Sequence, residues 1–378
     1  MNLENESGFR FDSQFAIVHF AQNQNGKPMA RETILSNNPL PDDDDPKLRP
    51  SRMDDMVGQL EVRERLKIAI DAAKQRNEGL GHILFDGPPG LGKTTFAQCI
   101  PNEMGVPVDL LSGPSLKAPK DLVPSLTNLR PNQVLFIDEI HRVPKAVEEY
   151  LYTAMEDFRI DLILGEGINA RTHNFKLRNF TLIGATTRAG MLTAPLRERF
   201  QIREHLDFYS HEDIAEIVRR NANKLKIEID DSASEEIAIR SRSTPRVANN
   251  RLRWVRDFAQ SRADGVISLQ IAKDALEMAE IDRLGLDRQD RKYLDTLIRI
   301  CQGGPTGIET IAATMNTVSE TLSDEVEPFL LRNGLIMRTP KGRRATPFAY
   351  EHLGVSMPKS TDDFYRQDGL FDDEDEAA

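Results

Sequence analysis

Along the first 46 positions polar residues dominate, with Asn, Gln, Pro and four consecutive aspartates at 42–45, and only a short apolar piece at 15–20 interrupts them. We read this stretch as a flexible extension. The character changes at Leu48. Apolar residues recur at helical spacing over residues 62–73, and a short apolar run, HILFD at 82–86, follows. A Gly/Pro turn and another helix come next, then two further apolar runs, VLFI at 134–137 and TLIG at 181–184. Strands that alternate with helices predict an α/β domain built on a largely parallel sheet.

Beyond Phe208 the period is helical throughout. Residues 211–225, 232–241, 244–262 and 269–281 each fit an amphipathic helix and predict a small helical domain. Three more helices are expected at 291–302, 307–315 and 319–333. A strand (LIMRT), a basic turn (PKGRR) and a second strand (ATPFA) should follow. Three helices and a β-hairpin in that order predict a winged helix. The expected organisation is an extension over 1–46, a P-loop ATPase domain over 47–207, a helical lid over 208–284, a winged helix over 285–354 and an acidic tail over 355–378. No internal repeat interrupts it.

Composition narrows the class without setting the function. Hydrophobic residues make up 39% and charged residues 29%, as expected of a water-soluble globular chain. No apolar run is long enough to cross a bilayer, and the N-terminus lacks the basic start and apolar block of a secretory signal. Two widely separated cysteines, Cys99 and Cys301, fit a reducing cytoplasm without a disulfide. The net charge of −11 disfavours nucleic acid in bulk, but most of it lies in the tail and the extension. The body between is close to neutral, so any hold on DNA must come from local basic clusters.

The chemistry begins at GPPGLGKT, residues 87–94, which follows a predicted strand and opens a helix. Gly87, Gly90 and Gly92 let backbone N–H groups curl around phosphate at a helix N-terminus. Lys93 would reach the β- and γ-phosphates, Thr94 would hold Mg²⁺ and Thr95 would add a phosphate contact. After the second strand, VLFIDEIH sets Asp138 to hold Mg²⁺ and Glu139 to polarise the attacking water. The third strand ends in Thr186 and Thr187; Thr187 either senses the γ-phosphate or merely caps the next helix. In PLRERF, Arg199 suits a finger inserted into a neighbouring subunit's site. Arg246, in STPR, opens a helix from which it can close the lid over the same phosphates. The cofactors expected are ATP and Mg²⁺. At the C-terminus Arg338, Lys341, Arg343 and Arg344 cluster on the predicted hairpin, where they would contact DNA phosphates without reading bases.

GPPGLGKTT, LTNL, VLFIDEIHR, AMED, GEG, FTLIGATTRAG, PLRERF, TPR and RTPKGR occur in this order. Together they resemble the RuvB family, the ATPases of Holliday-junction branch-migration complexes, over about residues 48–354. The resemblance implies further nucleotide contacts at Leu48 and Arg49, at Glu156, Asp157 and Phe158, and at Tyr209. It implies that residues 160–177 form a protruding hairpin for RuvA. It also implies a homo-hexameric ring on duplex DNA at four-way junctions, with RuvC as the resolving nuclease, no membrane, and a cytoplasmic, nucleoid-associated location. The sequence departs from the family at NNRLRW, where Asn250 and Trp254 are unexpected, and at Ser319, where some relatives carry Arg. Three rivals stay open at this stage. A clamp-loader-like switch would share the ATPase motifs without needing a basic wing. A nucleotide-gated scaffold would not need the Asp138–Glu139 pair, and a protein unfoldase would want an aromatic pore loop.

Overall fold

A computed structural model describes residues 47–164 and 171–358; the expectations for the extension, the acidic tail and the hairpin turn GEGINA lie outside them. Helix α1 (Leu60–Arg76) leads into strand β1 (Ile83–Asp86) and α2 (Lys93–Met104). Then come β2 (Val108–Ser112), α3 (Pro119–Thr127), β3 (Gln133–Asp138) and α4 (Lys145–Asp157). An antiparallel hairpin, β4 (Arg159–Leu164) and β5 (Arg171–Lys176), precedes β6 (Phe180–Thr186), α5 (Ala194–Glu198) and β7 (Ile202–His205). The main sheet is parallel, in the order β2-β3-β6-β1-β7. Alternate residues face opposite layers. Ile83, Phe85, Val134 and Phe136 join one buried cluster with α1 and α2, whereas Leu84, Leu135 and Ile137 join another with α3 and α4. Both faces are covered, which is why these strands read as continuous apolar runs.

His82, just before β1, is a core histidine. Its Nδ1 accepts the Leu182 amide at 2.9 Å, and Nε2 donates to the Met155 carbonyl at 3.1 Å. Burial holds its pKa below the usual histidine value, so the ring stays neutral and pins β1 to β6 and α4.

The lid comprises α6 (His211–Lys224), α7 (Asp231–Ile239), α8 (Pro245–Arg262) and α9 (Leu269–Met278). The unexpected Trp254 lies on α8 and donates from its indole to the Ala275 carbonyl on α9 at 2.6 Å. The C-terminal module begins with α10 (Arg288–Asp295), capped by Asp287 and continued as a π turn over Thr296–Ile300. Helix α11 (Ile308–Met315) and the short α12 (Ser319–Thr321) come next; a π turn (Leu322–Val326) joins α12 to α13 (Glu327–Arg332). Strands β8 (Ile336–Thr339) and β9 (Gly342–Ala345) form the wing, and α14 (Pro347–His352) closes the module. Here the structure corrects the expectation of a second strand at ATPFA. The strand forms instead from GRRA, inside the predicted basic turn. Thr346 caps the next helix through the Ala349 amide at 3.4 Å, and Pro347 sits at the first turn, where a missing N–H costs nothing.

Arginines tie the three parts together. Of the six between residues 240 and 256, two serve the joint between lid and winged helix. Arg242 pairs with Asp287 at 2.5 Å and with buried Asp290, and Arg251 donates to the Gly285 carbonyl at 3.0 Å; Arg240 donates within the lid, to the Ile281 carbonyl at 3.1 Å. From the ATPase domain Arg188 grips Asp324 with two bonds, at 2.6 and 3.1 Å, and reaches Glu320 at 3.3 Å. The Arg332 guanidinium lies 4.2 Å over the Phe208 ring. Among the described residues no helix is long and apolar enough to cross a membrane.

The wing depends on one buried carboxylate. Glu327, fully buried, accepts from Arg343 Nε at 2.8 Å, Arg338 Nη2 at 2.5 Å and the Tyr293 hydroxyl at 2.8 Å. Burial alone would raise its pKa, but these donors more than offset it, and the carboxyl is held below the usual glutamate range. A depressed folded-state pKa contributes stability above the unfolded value of 4.5, lost as pH falls through the folded one. Glu327→Ala leaves two guanidiniums facing an empty acceptor site. It is expected to cost the winged helix about 3–5 kcal/mol at pH 7, read by denaturant unfolding. The difference from wild type should shrink below pH 4; a difference that stays constant there would refute the assignment.

Candidate functional site

The parallel register brings the C-terminal ends of β1, β3 and β6 to one edge of the sheet, where α/β folds bind ligands. Asp86 lies opposite Thr186, and Ser112 opposite Asp138. At this edge the P-loop turns sharply into α2. Gly87 adopts φ +135°, and any Cβ there would lie 2.4 Å from the Leu206 carbonyl oxygen, so only glycine fits. Lys93 is folded inward, donating from Nζ to the carbonyls of Gly87 (2.7 Å) and Pro88 (2.8 Å). Burial pushes its pKa down to about 8, although Asp138 and Glu139 favour the charged form.

Thr94 Oγ1 donates to Asp138 Oδ2 at 3.4 Å, while Asp138 Oδ1 accepts the Glu139 amide at 2.9 Å. Burial raises the pKa of both acids, and Asp138 raises that of Glu139 further. Glu139 sits in the left-handed region at φ +49°, a conformation that costs about 1 kcal/mol or more in a non-glycine residue and is concentrated at functional sites. Its carbonyl oxygen approaches Gly113 so closely that a Cβ would meet it at 2.3 Å. Gly113 therefore admits the backbone path that aims Glu139 into the cavity. His141 Nδ1 lies 3.3 Å from Glu139 Oε2 and 2.9 Å from Thr186 Oγ1.

One cavity brings together Leu48, Arg49, Gly90, Gly92, Lys93, Thr94, Thr95, Asp138, Glu139, Thr187, Tyr209 and Arg246. The arm carrying Leu48 and Arg49 is held over α2 by Cys99 Sγ, 3.3 Å from the Pro50 carbonyl, and by Asn102 Nδ2, which donates to Ser51 at 3.0 Å. From the lid, Lys224 Nζ donates to the Leu48 carbonyl at 2.9 Å, and the Tyr209 hydroxyl to that of Leu91 at 3.2 Å. Sequence reasoning did not single out Asp55, Arg220, Asn221, Lys224 or Asn249, which also line the cavity. The four lid residues belong to helices whose amphipathic pattern was visible, but no motif marked which polar positions turn inward. Among the described lining residues five cations face three acids, a balance suited to a polyphosphate.

Glu156, Asp157, Phe158 and Arg199 are absent from the described lining of this cavity. They gather at the end of α4 instead. Arg199 Nη2 pairs with Glu156 at 2.7 Å and the guanidinium lies 4.8 Å over Tyr152, while Asp157 pairs with Arg159 at 3.2 Å. The Phe158 ring packs edge-on against Phe180, with centroids 5.8 Å apart. On the wing, Arg338 is half exposed and Lys341 exposed at the turn; Arg343 is mostly covered by its pair with Glu327.

Three family models match in succession. They are the "Holliday junction DNA helicase RuvB P-loop domain" over residues 48–206, the "RuvB AAA lid domain" over 209–282 and the "RuvB C-terminal winged helix domain" over 283–354. The Holliday junction branch migration complex subunit RuvB of Rhodopirellula baltica is 65% identical over 316 residues, 84% of this chain and 86% of that protein. The solved Thermotoga maritima RuvB Holliday junction branch migration motor is 45% identical, with a TM-score of 0.76 over 82% of this chain and all of that one. A substituted form of the same protein gives a TM-score of 0.77 at the same identity. Fold and site define an AAA+ P-loop ATPase that carries a lid and a C-terminal winged helix. Within that class, the chain belongs to the RuvB family.

Lys93→Ala removes the buried ammonium from the P-loop. Affinity for a fluorescent ATP analogue should fall about 10–100-fold, the worth of a charge-assisted hydrogen bond, with the circular dichroism spectrum unchanged. Unaltered affinity in a folded variant would show that the phosphates lie elsewhere.

Proposed function

We propose that this chain is the ATP-driven motor of a Holliday-junction branch-migration complex, moving duplex DNA in homologous recombination and repair. The carrying observation is the cavity in which Lys93, Thr94, Asp138, Glu139, Thr187 and Arg246 converge, in a chain that also carries a winged helix whose wing is basic. The names of its relatives support the same reading. A clamp-loader-like switch would have no use for that wing, so this alternative falls behind.

ATP is the nucleotide we assign to the cavity, with Lys93 and the backbone of Gly90 and Gly92 on its phosphates. Thr94 and Asp138 fit Mg²⁺, since a hydroxyl and a carboxylate, both hard oxygen donors, face one another across 3.4 Å. When bound, the ion neutralises charge on the β- and γ-phosphate oxygens. Glu139 accepts a proton from the attacking water, its raised pKa making it a better base than a free glutamate. Thr187 touches the γ-phosphate. Arg246, whose backbone N–H points to the Gly90 carbonyl at 3.4 Å, turns phosphate occupancy into movement of α8 and the lid.

Arg199 and Glu156 lie together away from the cavity of their own chain. In a hexameric ring they complete the neighbour's site, with Arg199 stabilising charge on the transferring phosphoryl. Asp157 and Phe158 border that contact. The β4–β5 hairpin, with half-exposed Phe175, offers an apolar contact to RuvA, and RuvC acts on the junction after the motor. Arg338, Lys341 and Arg343 hold the DNA backbone, which suits a motor indifferent to sequence. We place the protein in the bacterial cytoplasm, at the nucleoid, where its DNA lies.

With its own RuvA and ATP, the protein should dissociate a synthetic four-way junction. Glu139→Gln should still bind ATP and leave the junction intact. ATP hydrolysis by the wild type without junction dissociation or duplex translocation would overturn the motor reading.

A further inference from the structure

The catalytic carboxylate does not stand alone. Its backbone is fixed in the left-handed region, so the direction of its side chain depends on what holds the carboxylate. Among the described residues, the group beside Glu139 Oε2 is the His141 ring, with Nδ1 at 3.3 Å. His141 is itself immobilised. Its side chain is 4% exposed, and the same Nδ1 lies 2.9 Å from Thr186 Oγ1, at the fully buried end of β6. That hydroxyl oxygen also accepts the Arg188 amide at 3.0 Å.

We propose that His141 is the positioning residue for Glu139, donating from Nδ1–H to Oε2 so that the other carboxylate oxygen faces the attacking water. The proposal rests on the reading of Glu139 as the group that receives the water's proton. In the structure Nδ1 is aligned on the Thr186 hydroxyl at 2.9 Å, and Oε2 lies 3.3 Å from it to the side, so a small turn of the ring separates two hydrogen-bond states. With the proton on Nδ1, the turned ring donates to Glu139. With the proton on Nε2, Nδ1 accepts from the Thr186 hydroxyl and offers the carboxylate no donor. The strand end next to Thr187 thus selects whether the base is aimed. Burial first, and then Arg142 and Arg188, hold the pKa of His141 below its usual value, so the ring acts as a neutral donor and not as a competing cation.

The test uses the full-length chain and steady-state ATP hydrolysis, with binding of a fluorescent ATP analogue measured beside it. His141→Ala should lower kcat about 10–100-fold with KM and analogue affinity little changed, as expected when a reacting group is misplaced by an ångström or so. Asparagine places an amide N–H where Nδ1 lies, whereas glutamine places one nearer Nε2. His141→Asn should therefore recover most of kcat, and His141→Gln should not. If the alanine variant fails to fold, the asparagine and glutamine variants decide the matter by themselves. Equal loss in both folded variants would mean that the ring only fills space, and a kcat within about twofold of wild type in both would mean that Glu139 needs no partner. Glu139→Gln, assayed alongside, separates the two readings. Wild-type hydrolysis by Glu139→Gln overturns the role of Glu139 itself, whereas a silent Glu139→Gln beside wild-type His141 variants overturns only the proposal for His141.

Discussion

Hydrogen bonding between neighbouring parallel strands sets where each strand stops, and here it stops three of them together. Ile137 pairs with Gly184 and Asp86 with Thr186, so the chain leaves β1, β3 and β6 at one level. The residues just past each strand end then differ in type. Glycine at 87 permits the P-loop turn, Asp138 and Glu139 bring paired carboxylates, and Thr186 and Thr187 bring hydroxyls. A slip of one residue in any of these pairings would turn that strand's apolar side chains to the opposite layer. It would also carry the functional residue out of the cavity. The site thus inherits its geometry from the burial of Phe85, Phe136 and Ile183 on one face and of Leu84, Leu135 and Leu182 on the other.

The winged helix has its own core and is held to the rest mainly by charge, whereas the lid shares an apolar cluster with the sheet through Tyr209, Ile214 and Val218. Arg242 and Arg251 bridge lid and winged helix; Arg188 bridges the end of β6 to Asp324 and Glu320. Such pairs are poor sources of stability when exposed, but they are specific in angle and can exchange partners. That suits joints which must turn during a cycle better than an apolar seam would. Within the winged helix the logic reverses. There a conventional core of Tyr293, Leu294, Leu297 and Leu330 is rigid, and Glu327 fixes the wing to it.

Much of this was legible in the chain because the chemistry is local. GPPGLGKT, DEIH and GATTR each lie within a few residues of a strand end, and continuous apolar runs mark central strands of a covered sheet. The two edge strands were missed. VDLLS and IREH are short and partly exposed, and IREH carries three charged or polar residues, so neither has the apolar run of a central strand. The wing was misplaced by a few residues because β9 is stabilised across the hairpin and by Thr306, which pairs with Arg343, not by its own apolar content. Residues that meet only through folding left no mark at all. Lys224 closing on Leu48 spans 176 positions, and Arg188 on Asp324 spans 136.

The short stretch after β6 concentrates these relations. Thr186 faces inward to His141, Thr187 lines the cavity, and Arg188 faces outward to the winged helix. In a continued strand Thr186 and Arg188, two positions apart, would share one face, but the chain bends at Thr187 and the two side chains part. The bend is put to use: Thr186 meets the His141 ring beside Glu139, and Arg188 meets Asp324 of the winged helix. Thr187 sits between them, so a change of nucleotide that displaces it must also move its neighbours on both sides. A carboxylate to be aimed and a domain to be turned are thereby linked by a single covalent path two residues long. No long wire through the core is required for hydrolysis and DNA movement to stay in step.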